Sequence, residues 1–310
     1  MTFNFSIIVN NCLAELDLDS ESPEFYYNDF LLSLINGFED GKWRENQFNN
    51  FILDNVAETG LSAEERRNLY SAPYTLLTEA IKNLRLCDKD KGRGSEIAEI
   101  ILYGIMREHY GALPVVPKIF YKQNSNDNAK GADSVHIVLN EKDGDFTLWL
   151  GEAKFYKSIE DESLLNQVLK SVFEIIRSEK IKKEDSIITN VKDLELLVSG
   201  NMLEEIRQVL HRDSSIDEIR KRLNIPILLL HECNITKEAN ALTDSFKEKI
   251  KNFHLEKAKK YFSLQNKKQK KIQSFGYENI HFHLILFPVP DKEKIVNRFI
   301  TRAKQIKEDA

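Results

Sequence analysis

Cysteine is nearly absent from this chain, with three residues in 310. Cys12, Cys87 and Cys233 are scattered and odd in number, so they spell neither a disulfide framework nor a zinc knuckle. A reducing cytoplasm is the expected compartment. A surplus of positive charge is missing too. The 44 Lys and Arg face 49 Asp and Glu, which leaves a formal net charge of −5 and a sequence pI of about 5.9. That argues against indiscriminate, whole-surface binding of nucleic acid, yet leaves room for a local basic groove or for DNA delivered by a partner. No apolar run approaches the length of a membrane span. The opening Met-Thr-Phe-Asn-Phe-Ser puts no basic segment ahead of an apolar one, so no secretory leader is expected. There is no Gly-Lys-Ser/Thr to close a phosphate-binding loop, no internal repeat and no low-complexity segment.

What is present is the composition of a folded protein, 42% apolar and 30% charged, with length for one large domain or two smaller ones. The chain is organised around Gly131 to Tyr156, which holds two β-like runs, Ser134 to Leu139 and Thr147 to Phe155. Asp133 stands at the entry of the first, and the second carries Glu-x-Lys as Glu152 and Lys154. Side chains alternate along a strand, so Glu152 and Lys154 share a face with Leu148 and Leu150. Trp149, Gly151, Ala153 and Phe155 take the other face. Both faces begin apolar, the pattern of a central, covered strand.

A carboxylate and a lysine at the end of such a strand are costly to desolvate unless paired or bound to a cation. Two carboxylates on neighbouring strands, Asp133 and Glu152, repel unless a divalent ion lies between them. Carboxylate oxygens with a backbone carbonyl and water suit Mg²⁺ or Mn²⁺. A lysine on the same face can orient or deprotonate a water and neutralise charge developing on a phosphate. The set is therefore suited to metal-assisted phosphodiester hydrolysis. Glu-x-Lys alone also describes an ordinary ion pair at a strand end, and the flanks decide between the two.

Upstream, residues 3–9 read as a strand. A helix is expected from Pro23 to Gly37, capped by Ser22, with Phe25, Tyr26, Tyr27 and Phe30 on a packed face. Further helices are expected over 43–57, from Ser62 with Glu65 completing a capping box, and from Pro73 to about Leu86. Residues 1–86 thus read as a mainly helical N-terminal region. The charged, glycine-bearing segment from Asp88 to Ser95 marks the boundary with a second domain, 87–310. Ser95 opens a helix to Tyr110, where Ile97, Ile101 and Ile105 form one stripe and Glu96, Glu99 and Tyr103 another.

Val115 to Tyr121 reads as a strand, and Lys122 to Lys130 as a polar loop. Beyond the Glu-x-Lys strand comes an amphipathic helix, Ser163 to Arg177. A connecting region, 184–224, holds helices near 201–212 and 215–223. Strands over 225–231 and 280–289 flank a long charged helix, 239–265, and a terminal helix starts near Asp291. Lys257 to Lys271 is the densest basic patch, a solvated helix by default and otherwise a contact for DNA or a partner. His281 and His283 share a strand face with no third metal ligand in view.

Three blocks carry a family likeness. They are Gly94-Ser95-Glu96-Ile97-Ala98-Glu99-Ile100-Ile101-Leu102-Tyr103, Gly131-Ala132-Asp133-Ser134-Val135-His136 and Leu150-Gly151-Glu152-Ala153-Lys154-Phe155-Tyr156. The order helix with Glu, strand, Asp strand, Glu-x-Lys strand, helix resembles the PD-(D/E)xK nuclease core. More narrowly, the blocks resemble the HamA family, nuclease-like subunits of the Hachiman antiphage defence system. Ala132 stands where the literal motif has proline. Ser171 stands where some nuclease relatives carry the tyrosine of Gln-x-x-x-Tyr after Gln167.

The resemblance implies an α/β fold with a restriction-endonuclease-like (PD-(D/E)xK) core, a helical N-terminal region and C-terminal helices. It implies a metal-dependent DNA endonuclease in antiviral defence, with Asp133 and Glu152 holding Mg²⁺ (or Mn²⁺) and Lys154 positioning the water. A glutamate of the 95–110 helix, Glu99 in preference to Glu96, would complete the shell. DNA is then the substrate, and a superfamily 2 helicase subunit, HamB-like, the partner. The alternative is a catalytically degenerate subunit that binds and regulates the helicase without cutting. The intact Asp, Glu and Lys argue against that alternative, and the acidic overall charge permits it.

Overall fold

The computed structural model describes residues 3–16, 28–85, 95–121, 131–140, 142, 144–190, 192–211 and 213–308. The chain opens with β1 (Ser6–Cys12), antiparallel to β2 (Asp29–Ile35). β2 corrects the sequence reading. The expected helix from Pro23 to Gly37 is a strand over its described part, and 23–27 lie outside the described residues. Leu31 to Ile35 are buried throughout, and a short run that is apolar on every side has no period to tell strand from helix.

A small hairpin, β3 (Phe38–Glu39) and β4 (Lys42–Trp43), leads into α1 (Glu45–Gly60), α2 (Ala63–Asn68) and α3 (Pro73–Lys82). The capping box forms as read. The Ser62 hydroxyl accepts from the Glu65 N–H, and Glu65 Oε2 accepts from the Ser62 N–H at 2.8 Å. α4 (Ser95–Tyr110) then leads to β5 (Leu113–Val116), which stops short of the strand expected over Val115 to Tyr121. Pro117 has no N–H to give a ladder, and the chain turns there into the single-turn helix α5 (Lys118–Tyr121).

β6 (Ser134–Asn140) and β7 (Asp145–Tyr156) pair antiparallel, with Ser134 opposite Gly151. Five helices follow: α6 (Glu162–Ile175), α7 (Ser178–Asn190), α8 (Asp193–Leu197), α9 (Gly200–Val209) and α10 (Ile216–Arg220). They lead to β8 (Leu223–Glu232), which lies parallel to β7, and a parallel neighbour needs such a crossover because no hairpin reaches it. α11 (Asn234–Glu238) and the long α12 (Asp244–Ile272) make the next crossover, to β9 (His281–Val289). α13 (Lys292–Glu308) is the final helix.

The strands form one seven-stranded sheet in the order β1-β2-β9-β8-β7-β6-β5, with β2, β9, β8 and β7 mutually parallel. Helices cover both faces, so the fold is α/β. One core joins Leu148, Leu150, Ile227 and Leu229 to Leu165 and Val168 of α6 and to Tyr261 of α12. The other joins Trp149, Ala153, Phe155 and Leu228 to Phe51 of α1, Ile101 of α4 and Phe299 of α13. The alternation read along β7 is the alternation between these two cores. Residues 1–86 are helical through α1 to α3 and also supply β1 and β2 to the common sheet. The boundary placed after residue 86 lies outside the described residues, as does Cys87, while Cys12 and Cys233 are buried. No helix among the described residues is long and apolar enough to cross a membrane.

Candidate active site

β7 carries Glu152 and Lys154 toward its C-terminal end. A Cβ on Gly151 would fall 2.2 Å from the Ser134 hydroxyl and 2.8 Å from Leu102 of α4, so glycine lets β6 and α4 close on the strand here. The Asp133 N–H donates to Gly151 O at 2.7 Å, and Asp133 Oδ2 accepts from the Ala153 N–H at 3.1 Å. An acid just outside the β6 ladder is thereby pinned beside Glu152.

Lys154 lies between the two acids. Its Nζ is 3.2 Å from Asp133 Oδ2, 3.2 Å from the Ala153 carbonyl and in close contact with Glu152 Oε1. Ser171 of α6 lies beside the Glu152 carboxylate and favours its charged form. Burial, and after it the charge on Asp133, raise the Glu152 carboxyl above its ordinary range, while Lys154 and Ser171 oppose them. Burial alone would lower the Lys154 ammonium. Asp133 and Glu152 together outweigh it and hold the group above its ordinary value, so Lys154 is charged.

Asp133 Oδ2, Glu152 Oε1 and the Ala153 carbonyl thus converge on one cation, the Lys154 ammonium. Three hard oxygens, two of them anionic, fit Mg²⁺ or Mn²⁺ with water in the remaining positions. The set is lean. Among the described residues no group of three or more His, Cys, Asp or Glu side chains is placed to hold a metal ion. Lys154 is 33% exposed at its side chain and Glu152 6%, so the lysine is the member with room to withdraw.

The site opens into a cleft of about 630 Å³ that Gln167, Lys170 and Ser171 of α6 and Lys180 and Glu184 of α7 also line. Gln167 and Ser171, one turn apart on α6, therefore both face the site. Glu99 does not line this cleft. It is buried on α4, which covers the opposite face of the sheet, near Tyr103, whose hydroxyl donates to Val116 O at 2.6 Å. Glu96 Oε1 accepts from the Arg85 N–H at 2.9 Å. Asp133, Glu152 and Lys154 are brought together. His283 is a packed ring, stacked on Phe30 with centroids 4.9 Å apart, its Nε2 2.9 Å from Asn224 Oδ1.

Sequence reading missed a second cluster on the cleft wall. Lys118 of α5 is fully buried, with its Nζ 2.6 Å from Glu184 Oε2. The other oxygen, Glu184 Oε1, accepts from the Ala132 N–H at 3.1 Å. A Cβ on Gly131 would lie 1.9 Å from that same oxygen. The buried pair thus grips the backbone one residue before Asp133, and glycine is the residue that admits the grip. Asp185 is buried next along α7, with neither carboxylate oxygen hydrogen-bonded among the described residues, and burial followed by the Glu184 charge pushes its carboxyl up to about 7. The Gly-Ala preceding Asp133 was the only local trace of this cluster.

A family model described as HamA matches residues 9–303, nearly the whole chain. No curated protein matches the chain.

Proposed function

The chain belongs to the HamA family and so to the subunits of Hachiman antiphage defence, and on that premise we propose that it is the metal-dependent DNA nuclease of such a system, controlled by a helicase partner. The observation that carries this reading is the convergence of Asp133, Glu152 and the Ala153 carbonyl on one cation position beside Lys154. The order α4, β5, β6, β7, α6, β8, with α4 and α6 on opposite faces, supports a restriction-endonuclease-like core.

Asp133 and Glu152 would hold Mg²⁺ or Mn²⁺, which when bound supplies Lewis-acid polarisation of a phosphate and a more acidic water. The chain fixes both acids by its own bonds. The Ala153 N–H orients Asp133, and Lys154, with Ser171 beside it, holds Glu152. Lys154 acts as a charge while the acids surround it. Once released from them, it can present its ammonium to the phosphate or orient the attacking water at the cleft mouth. Lys170 and Lys180 on the rim add positive charge where the phosphate backbone would approach.

A second reading has one observation in its favour. Lys154 already satisfies both acids, as it would in a degenerate cluster kept for structure in a subunit that only binds the helicase. Purified chain on supercoiled plasmid, with and without Mg²⁺ and with and without the helicase, separates the two. Mg²⁺-dependent nicking in the presence of the partner is expected. Stable helicase binding with intact plasmid in every arm would favour the second reading.

A further inference from the structure

The basic stretch from Lys257 to Lys271 divides in two. Lys257 is buried over the Phe253 ring and paired with Glu256 at 3.0 Å, and Lys260 reaches Glu162 at 3.7 Å. Toward the end of α12, Lys267, Lys268 and Lys271 make no ion pair among the described residues, and neither do Lys170 and Lys180 on the cleft rim. Three acids of α6 and α10 are engaged by basic neighbours of their own: Glu174 with Arg177 at 2.9 Å, Asp217 with Arg220 at 3.2 Å and Glu218 with Lys221 at 2.7 Å. Just past the helix, Phe275 is 74% exposed.

Two sets of contacts join this helix end to the cleft. Lys268 Nζ lies 4.9 Å over the ring of Phe173 on α6, three residues from Lys170. Burial lowers the Lys268 ammonium, and Lys170 adds to that effect against Glu174, so the two lysines sense each other. On the other side, a Cβ on Gly276 would lie 3.0 Å from Arg220 Cδ. Arg220 in turn donates to Ser178 Oγ at 2.9 Å, two residues before Lys180. The turn bearing Phe275 therefore lies beside α6, where Phe173 stacks on Tyr277, and reaches the start of α7 through Arg220.

We propose that Phe275, the unpaired lysines at the end of α12 and Lys170 and Lys180 on the rim form one track that leads a single nucleic-acid strand to the Asp133–Glu152–Lys154 cleft. The track rests on the nuclease reading for its destination. Unpaired lysines suit phosphates, and an aromatic face open to water suits a base that has no stacking neighbour, which a single strand offers and a duplex does not. A cation at a helix C-terminus also answers the helix dipole, which accounts for Lys270 and Lys271. It accounts neither for lysines on α6 and α7 nor for a phenylalanine left in water.

The test is fluorescence anisotropy of a labelled oligothymidylate at low salt in EDTA, with the full chain. Binding is expected, with a log–log salt slope of about −2 to −3.5 for three to five phosphate contacts. Phe275→Ala is expected to weaken it about tenfold and Phe275→Tyr to preserve it. Lys267→Glu with Lys271→Glu should weaken it further and flatten the salt slope, and these surface changes should leave the melting temperature in place. A duplex of matched length should bind less tightly. No binding at low salt, or binding indifferent to Phe275→Ala and to the lysine reversals, would overturn the track. These arms contain no metal and read no cleavage, so their failure leaves the assignment of Asp133, Glu152 and Lys154 to its own test.

Discussion

Lys118 and Lys154 both meet carboxylates on the wall of one cleft, in opposite surroundings. The Lys118 side chain is 0% exposed and its partner Glu184 4%, and Glu184 spends its second oxygen on the Ala132 backbone. Lys154 is 33% exposed and has two acids and a backbone carbonyl around one ammonium. The first arrangement is sealed, and breaking it leaves a charge in the core. The second opens to water and concentrates negative charge, which is what draws a cation in. The same residue types therefore make a clamp in one place and a site in the other, and solvent access with the ratio of acids to lysine separates them.

The largest expected difference is in cleavage. Glu152→Ala should lower Mg²⁺-dependent plasmid nicking by at least about 10²–10³-fold, the scale seen when one group stabilising developing charge is removed. Its melting temperature should stay near that of the wild type, because Glu152 adds little to either apolar core. Unchanged nicking by the folded variant would erase the distinction between site and clamp.

The clamp should show the reverse pattern. Lys118→Met strands Glu184 in the interior and should cost about 3–5 kcal/mol in urea unfolding. Gly131→Ala should destabilise in the same direction, since its Cβ would lie 1.9 Å from Glu184 Oε1. Lys118→Met with wild-type stability would show that the buried pair holds nothing.

A smaller effect sharpens what belongs to the site. Glu99→Gln should impair cleavage more than Glu96→Gln, though far less than Glu152→Ala, because Glu99 is the buried one of the two while neither lines the cleft. The opposite order, read in the same plasmid assay, would assign the helix contribution to Glu96.

How much of this was legible in the sequence depended on how local each signal was. Glu152 and Lys154 were placed correctly because a period of two along β7 assigns each side chain its face without reference to the rest of the chain. Asp133 followed from its position at the entry of the neighbouring strand. β2 was misread because Leu31 to Ile35 are buried on every side, so alternation disappears just where a strand is most central. The α5 turn was hidden in an apolar run that Pro117 interrupts. The Lys118–Glu184 pair joins residues 66 apart, and neither residue stands in a pattern that announces the other. Ser171 was noted for failing to be tyrosine, and its place beside Glu152 became visible only once α6 lay over the strand.

The central claim is that Asp133, Glu152 and the Ala153 carbonyl form a divalent-cation position which the Lys154 ammonium otherwise fills. Calorimetric titration of Mn²⁺ into the metal-free chain tests it most directly, since it needs neither substrate nor partner. The account predicts one site in the wild type, lost in Glu152→Ala and kept in Lys154→Met, where the competing ammonium is gone and both acids remain. Equal binding by the wild type and Glu152→Ala, or binding by neither the wild type nor Lys154→Met, would contradict it.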